Sequence, residues 1–311
     1  MFHGIKSLNF NIRSLLLAAF TALPLPVFAD EPPAYQPPSG QEIAQIINEA
    51  RQKHPNDVNL RIAMISERFL GMPYQLGPLG EGPEGEFDRD PMLRFDCADC
   101  TTFIETVMSM ALAPQSSAMD SVLQRIRYKD ARVFYRARNH FPEADWIPNN
   151  AQAGFLKDIT NKIGGESVAW ESKTISKQKW YVAKSTNDLQ GFDHLSAKQK
   201  RRLADKWKKT GRALPDETAR IPYIPASELP GKAKQIPTGS IFNVVRENRE
   251  DQMVLITHQG LIIQKPDGAY VRHAAWGRTV EEQALDAYIN KYNGARWKVL
   301  GMNFNAVLDP R

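Results

Sequence analysis

Cysteine is nearly absent. The 311-residue chain has two, Cys97 and Cys100, which excludes a disulfide scaffold and a multi-cysteine zinc module. Long apolar runs are missing beyond the first thirty residues, which excludes a polytopic membrane protein. No dense block of one charge exists. The 40 basic and 35 acidic residues leave a net charge of +5. That mild excess suits an anionic polymer as partner and gives no argument for nucleic acid. The 42% hydrophobic and 24% charged fractions exclude disorder and collagen. A chain of this length buries a sizeable core without staples.

Residues 1–29 read as a secretory signal. Lys6 and Arg13 precede an apolar run that ends in Val27-Phe28-Ala29, the pattern of a cleaved export segment. Pro24 and Pro26 interrupt the run and argue against stable membrane insertion. No cysteine follows it, which excludes a lipid anchor. Export across the inner membrane to the periplasm is expected, where disulfides persist. Residues 30–40 carry four prolines and read as an extended leader. Residues 41–311 are expected to form a single catalytic domain with an elaboration at about 150–220.

Helical apolar spacing (Ile43, Ile46, Ile47, then Ile62, Ile65, Phe69) predicts two early helices. Residues 54–57 break them, with Asn56 or Asp57 as cap. Residues 71–94 are rich in Gly, Pro and Asp and predict a long loop of the kind that is often functional. Phe103, Ile104, Val107, Met108 and Leu112 then predict a buried helix starting near Cys100. Residues 119–140 are expected to be helical and basic. The thin apolar content of 154–220 suggests a surface elaboration without its own core. Runs at 239–247, 253–264, 269–276 and 296–307 read as strands. Helices early and antiparallel strands late define the class as α+β.

Cys100 is the first candidate for chemistry. At a helix start, free N–H groups and the dipole favour a thiolate and can hold an oxyanion. A structural cysteine before an apolar helix is the alternative. A thiolate nucleophile needs a histidine to accept and return a proton, and that histidine needs an orienting group. His258 and His273 fall on consecutive strand runs. A four-residue turn at 265–268 sets His273 opposite Gly260, on the face of His258 and diagonal to it. A three-residue turn sets them on opposite faces. Cys97 and Cys100 also match Cys-x-x-Cys, but a loop stands where a redox motif wants a strand. Cys97, Cys100, His258 and His273 are four potential zinc ligands with spacing unlike the common modules.

The residues also resemble a known family. The run from Asp99-Cys100-Thr101-Thr102-Phe103 to Glu105 is similar to the cysteine motif of NlpC-type, papain-like cell-wall amidases. Gly71-x-Pro73-Tyr74, Thr238-Gly239-Ser240, Thr257-His258-Gln259-Gly260 and Arg272-His273-Ala274 fit the same superfamily in the same order. The loop after Tyr74, the Asn139–Trp146 stretch and the 221–225 segment resemble its branch of secreted N-acetylmuramoyl-L-alanine amidases. The resemblance implies a papain-like core, with the nucleophile's helix packed on a C-terminal antiparallel sheet. It implies cleavage of the amide between N-acetylmuramic acid and L-alanine in peptidoglycan fragments, anhydro-muropeptides among them. No cofactor and no metal are implied. Carried over by position, Cys100 is the nucleophile, His258 the general base and acid, and His273 the orienting residue. Tyr74, Asp99, Thr101, His140 and Trp146 are expected to contact substrate, Trp146 by stacking on a sugar face. A γ-D-glutamyl-diaminopimelate endopeptidase on the same core and a noncatalytic cell-wall binding protein are the alternatives.

Overall fold

The structure is a computed structural model and describes residues 34–310. The expected signal segment lies outside the described residues. Residues 34–39 have no regular structure, as the prolines require. Helix α1 (Gly40–Lys53) starts where Ser39 and Glu42 form a capping box, a device that satisfies two orphan N–H groups at once. Helix α2 (Val58–Glu67) is capped by Asp57, whose Oδ1 accepts from Leu60 N at 2.9 Å.

Helix α3 (Cys100–Leu112) is capped by Asp99. It is buried on every side from Phe103 to Leu112, so it runs through the core rather than along it. Helix α4 (Met119–Arg127) follows. The expected helix does not continue to residue 140. Tyr128 turns extended (φ −120°, ψ 136°) and ends α4; positive φ at Asp130 and Ala131, 56° and 57°, keeps the helix from resuming, and only short turns follow.

The remaining helices are α5 (Ile147–Gln152), α6 (Thr160–Gly164), α7 (Lys177–Val182), α8 (Ala197–Gly211), α9 (Leu229–Lys232) and α10 (Leu285–Asn290). The strands are β1 (Leu156–Asp158), β2 (Ala169–Ile175), β3 (Glu217–Pro225), β4 (Ile241–Arg246), β5 (Ile256–Lys265), β6 (Gly268–Ala274), β7 (Val280–Ala284) and β8 (Val299–Val307). They form one sheet in the order β2-β3-β8-β4-β5-β6-β7, with β1 added on β8. Every pairing is antiparallel. The class is α+β.

One sheet face carries Ile241, Leu261 and Ile263 against α1, α2 and α3. The other carries Phe242, Val244, Ile262 and Val271 against Tyr288 and Leu285 of α10. This alternation is the period-2 rule of a sheet covered on both faces.

The 154–220 region has no core to itself but shares an aromatic one with the segments before it. Strands β1 and β2 join the main sheet. Phe87, Tyr135, Tyr181, Leu189, Phe192 and Trp207 form a small core of their own. The Phe87 and Trp207 rings stack at 5.0 Å. Apolar residues are few there, but each aromatic ring buries a large area.

Candidate active site

The hairpin of β5 and β6 closes at Lys265↔Gly268 and runs in register through Leu261↔Arg272. A two-residue turn therefore sets His273 opposite Gly260. This is the register in which the two imidazoles share a face. His258 Nε2 and His273 Nδ1 are 2.9 Å apart, and the rings meet edge to face at 4.8 Å between centroids. Gly260 makes room for this contact. A Cβ built on it would lie 2.5 Å from the Phe242 ring and 2.8 Å from His273 Cβ.

Strand β7 extends the group. His273 pairs with Glu281 across the β6–β7 ladder. Its Nε2 lies 3.6 Å from Glu281 Oε1 and 3.2 Å from Gln283 Nε2. Arg278 holds the same Glu281 oxygen at 2.5 Å. Tyr288 of α10 is fully buried, and its ring lies 5.0 Å from that of His273.

Cys100 is the first residue of α3. In the helix ladder Phe103 N bonds Asp99 O at 2.9 Å, and the Asp99 carboxylate takes Thr102 N at 2.8 Å. The N–H groups of Cys100 and Thr101 therefore precede the first intrahelical bond. The thiol is half-buried. Desolvation and the charge of Asp99 push it up to about 12, opposed by hydrogen bonding from the Gln259 backbone and from Thr101. That places the sulfur against the residue next to His258. The sulfur lies 3.9 Å from Thr101 Oγ1. Among the described residues neither imidazole is hydrogen-bonded to the thiol.

Burial drives both histidines toward the neutral form. His258 is held well below the ordinary range by desolvation, then by His273, Lys291 and Arg246. His273 falls to about 3 through desolvation, then Lys291 and Arg278. Cysteine and histidines thus rest uncharged at neutral pH.

A buried polar chain anchors the group. Thr101 Oγ1 donates to Gln259 Oε1 at 2.8 Å, and Gln259 Nε2 to Asn243 Oδ1 at 2.7 Å. Asn243 Nδ2 donates to Asn303 Oδ1 at 2.9 Å, and Asn303 Nδ2 to Asp158 Oδ2 at 2.7 Å. The chain crosses from β5 through β4 to β8 and the end of β1.

The other expected residues divide. Tyr74 belongs to the group: its N donates to Arg278 O at 2.9 Å, and its hydroxyl is raised by burial and by the charges of Cys100 and Asp99. It stays a neutral O–H donor. Asp99 caps α3, and its second oxygen accepts from Gly77 N at 3.0 Å. Thr101 is the fastening to Gln259. Cys97 is buried and free, with Sγ 3.2 Å from Gln75 Oε1. No three or more His, Cys, Asp or Glu side chains among the described residues are arranged to hold a metal ion.

Trp146 and His140 correct the expectation. Trp146 is 0% exposed and donates from Nε1 to Glu105 Oε1 at 3.1 Å, beside the buried Glu105–Arg127 pair. A ring sealed in the core cannot stack on a sugar. His140 bonds Tyr135 O at 2.8 Å and packs between Tyr135 and Trp180, so it belongs to the aromatic elaboration. Trp276, which the strand pattern did not single out, is 70% exposed. Its ring lies 5.3 Å from that of Tyr74. It lines a cavity of about 260 Å³ together with His258, His273, Arg246, Arg278 and Lys291.

This α+β fold is shared with solved structures. A Legionella pneumophila protein, LPG0564, matches with a TM-score of 0.79 and 29% identity over 86% of this chain and 95% of its own. An N-acetylmuramoyl-L-alanine amidase from Bacteroides uniformis matches in fold, with a TM-score of 0.60 and 22% identity over 81% of this chain and 99% of its own. Comparison with curated proteins finds no match. The family model described as AmiA-like, N-acetylmuramoyl-L-alanine amidase-like, matches residues 64–295, and the chain belongs to that family.

Proposed function

We propose that this protein is a cysteine-dependent N-acetylmuramoyl-L-alanine amidase of the NlpC-type, papain-like kind, exported to the periplasm and acting on peptidoglycan fragments, anhydro-muropeptides included. The observation that carries the reading is the 2.9 Å contact of His258 with His273 beside a cysteine that opens a helix. Membership of the amidase-like family supports the substrate class. The charge pattern of residues 1–29 supports export.

In the proposed reaction Cys100 Sγ attacks the lactyl carbonyl of the muramic acid. His258 Nε2 is engaged by His273, so Nδ1 is the nitrogen left to take the thiol proton. That role needs the His258 proton on Nε2, donated to His273 Nδ1. His273 then needs its proton on Nε2, 3.6 Å from Glu281 Oε1, and the Gln283 amide nitrogen, 3.2 Å from that same atom, has to turn aside because it can only donate. The charge of Glu281 favours that tautomer, the role the acid plays in a serine-protease triad. The tetrahedral oxyanion is met by N–H groups at the start of α3 and by the Tyr74 hydroxyl. His258 then protonates the leaving L-alanine nitrogen, and a thioester remains on Cys100. Water, deprotonated by His258, hydrolyses it. Trp276 offers an exposed ring for the sugar.

The test is mass spectrometry of products from defined muropeptides. Release of an intact stem peptide from the sugar is expected. Release of a peptide beginning at diaminopimelate, with L-alanyl-D-glutamate left on the sugar, assigns the endopeptidase activity instead. Binding without turnover assigns a noncatalytic role.

A further inference from the structure

The cavity beside His258 and His273 is lined by Arg246, Arg278 and Lys291, with no Asp or Glu in its wall. The three cations are not equivalent. Arg278 is committed to Glu281 at 2.5 Å. Arg246 is fixed by neutral groups: Nε donates to Thr257 Oγ1 at 2.9 Å and Nη1 to the Trp297 carbonyl. Its guanidinium lies 5.3 Å from the Tyr292 ring. Lys291 lies at the end of α10 with its ammonium 3.7 Å over the Tyr288 ring and 5.2 Å from that of Tyr292. Neither Arg246 nor Lys291 forms an ion pair with any described residue.

Two cations held by aromatic faces and neutral oxygens, with no ion-pair partner among the described residues although the charge of Glu281 acts on Lys291, are in place to receive an anion. They cost the protein basicity where it needs it, since both oppose the charging of His258. A protein that only needed soluble charge would place them elsewhere.

We propose that Arg246 and Lys291 form a carboxylate subsite that takes a free carboxylate of the stem peptide and orients it beside His258. The proposal rests on the amidase reading for the identity of the ligand, but not for its chemistry. Arg246 offers a planar fork for the carboxylate, and Lys291 a mobile point charge. Burial and His273 hold His258 down most, and arrival of the carboxylate offsets the further contribution of Lys291 and Arg246. The base then gains proton affinity when substrate is bound, which couples recognition to catalysis.

The test has two arms. In the first, N-acetyl-L-alanyl-D-glutamate is titrated into Cys100→Ala protein carrying isotope-labelled lysine. A shift of the Lys291 resonance is expected. It is expected to vanish when both carboxyls of the peptide are amidated, and amidation of one carboxyl at a time identifies which of them is taken. Lys291→Met and, separately, Arg246→Lys are expected to weaken binding about tenfold, the scale of a charge-assisted contact. Lys291 is exposed, so its replacement leaves the core untouched. In the second arm, wild-type kcat/KM is compared for muramyl peptides with free and with amidated carboxyls. No Lys291 shift, or equal binding of free and amidated peptide, overturns the subsite. Peptide binding without hydrolysis of any muramyl peptide overturns the amidase reading and leaves the subsite standing. Hydrolysis of free and amidated substrates at equal kcat/KM overturns the subsite and leaves the amidase reading standing.

Discussion

Thr101 Oγ1 donates to Gln259 Oε1 across 2.8 Å, and this bond fastens the start of the Cys100 helix to the residue beside His258. Two elements 158 residues apart in sequence are thereby set at one spacing. Removing the amide with Gln259→Leu strands Asn243 Oδ1 and the Thr101 hydroxyl in the interior. A stability loss of about 1–3 kcal/mol is expected, together with a fall in turnover. Denaturant melts and steady-state kinetics on the same preparation check both. Unchanged stability would refute the buried chain.

Cys100→Ala is expected to abolish hydrolysis with the fold intact, since the change removes only the sulfur at a half-buried position. Cys97→Ser is expected to retain activity, because Cys97 contacts only Gln75 through its thiol. Product analysis and circular dichroism on both variants check this. Equal loss in the two would leave the nucleophile assignment without support.

The histidine–carboxylate order predicts graded losses. His258→Ala is expected to lower kcat by about 10²–10⁴-fold, the range for a general acid–base. Glu281→Gln keeps the size of the side chain but removes the charge that faces His273 Nε2 at 3.6 Å. A smaller loss, roughly ten- to a hundredfold, is expected, the range for partners that orient an imidazole. Glu281→Gln activity equal to wild type would remove Glu281 from the chain.

Protonation gives a stability test. The His273 value falls from 6.5 to about 3 in the folded protein, so between these limits the unfolded chain binds a proton that the folded chain does not. Stability is therefore full above about pH 6.5 and falls as pH drops toward 3, by up to about 1.4 kcal/mol per pH unit for this group. His258 and His140 are shifted in the same direction. Denaturant melts across this window are expected to show the slope, and His273→Gln to flatten it by one proton.

The two tryptophans are expected to part company. Trp276→Ala, at 70% exposure, is expected to leave stability unchanged and to raise KM severalfold. Trp146→Ala empties a fully buried site and is expected to cost about 3–5 kcal/mol. Thermal melts beside KM values decide it. A destabilised Trp276→Ala protein would show packing rather than substrate contact.

Much of this arrangement was legible in the sequence. Cys100 at a helix start follows from local pattern, whereas for the cap (Asn56 or Asp57) and for the β5–β6 register the sequence allowed two solutions each, and the fold selects Asp57 and the two-residue turn. Residues 280–284 did not read as a strand, because β7 carries Glu281 and Gln283 where a core strand carries apolar residues. Those are the side chains that serve His273. Arg246, Lys291 and Tyr288 were invisible for a different reason. Their meaning lies in being brought beside His258 by β4 and α10, and no local pattern encodes that meeting. Trp146 misled because composition does not say which side of an element faces water.

The raised Cys100 thiol carries a consequence for how the protein meets reagents. With the thiol pushed up by burial and by the charge of Asp99, the thiolate is a small minority at neutral pH. The free protein is therefore chemically quiet. Small alkylating agents and peroxide, which react with thiolates, find almost none to attack. On the proposed mechanism, sulfur reactivity belongs to the complex, in which desolvated substrate and base act on the thiol together. A covalent probe for this protein has to be shaped like its substrate, and a generic thiol reagent will undercount it.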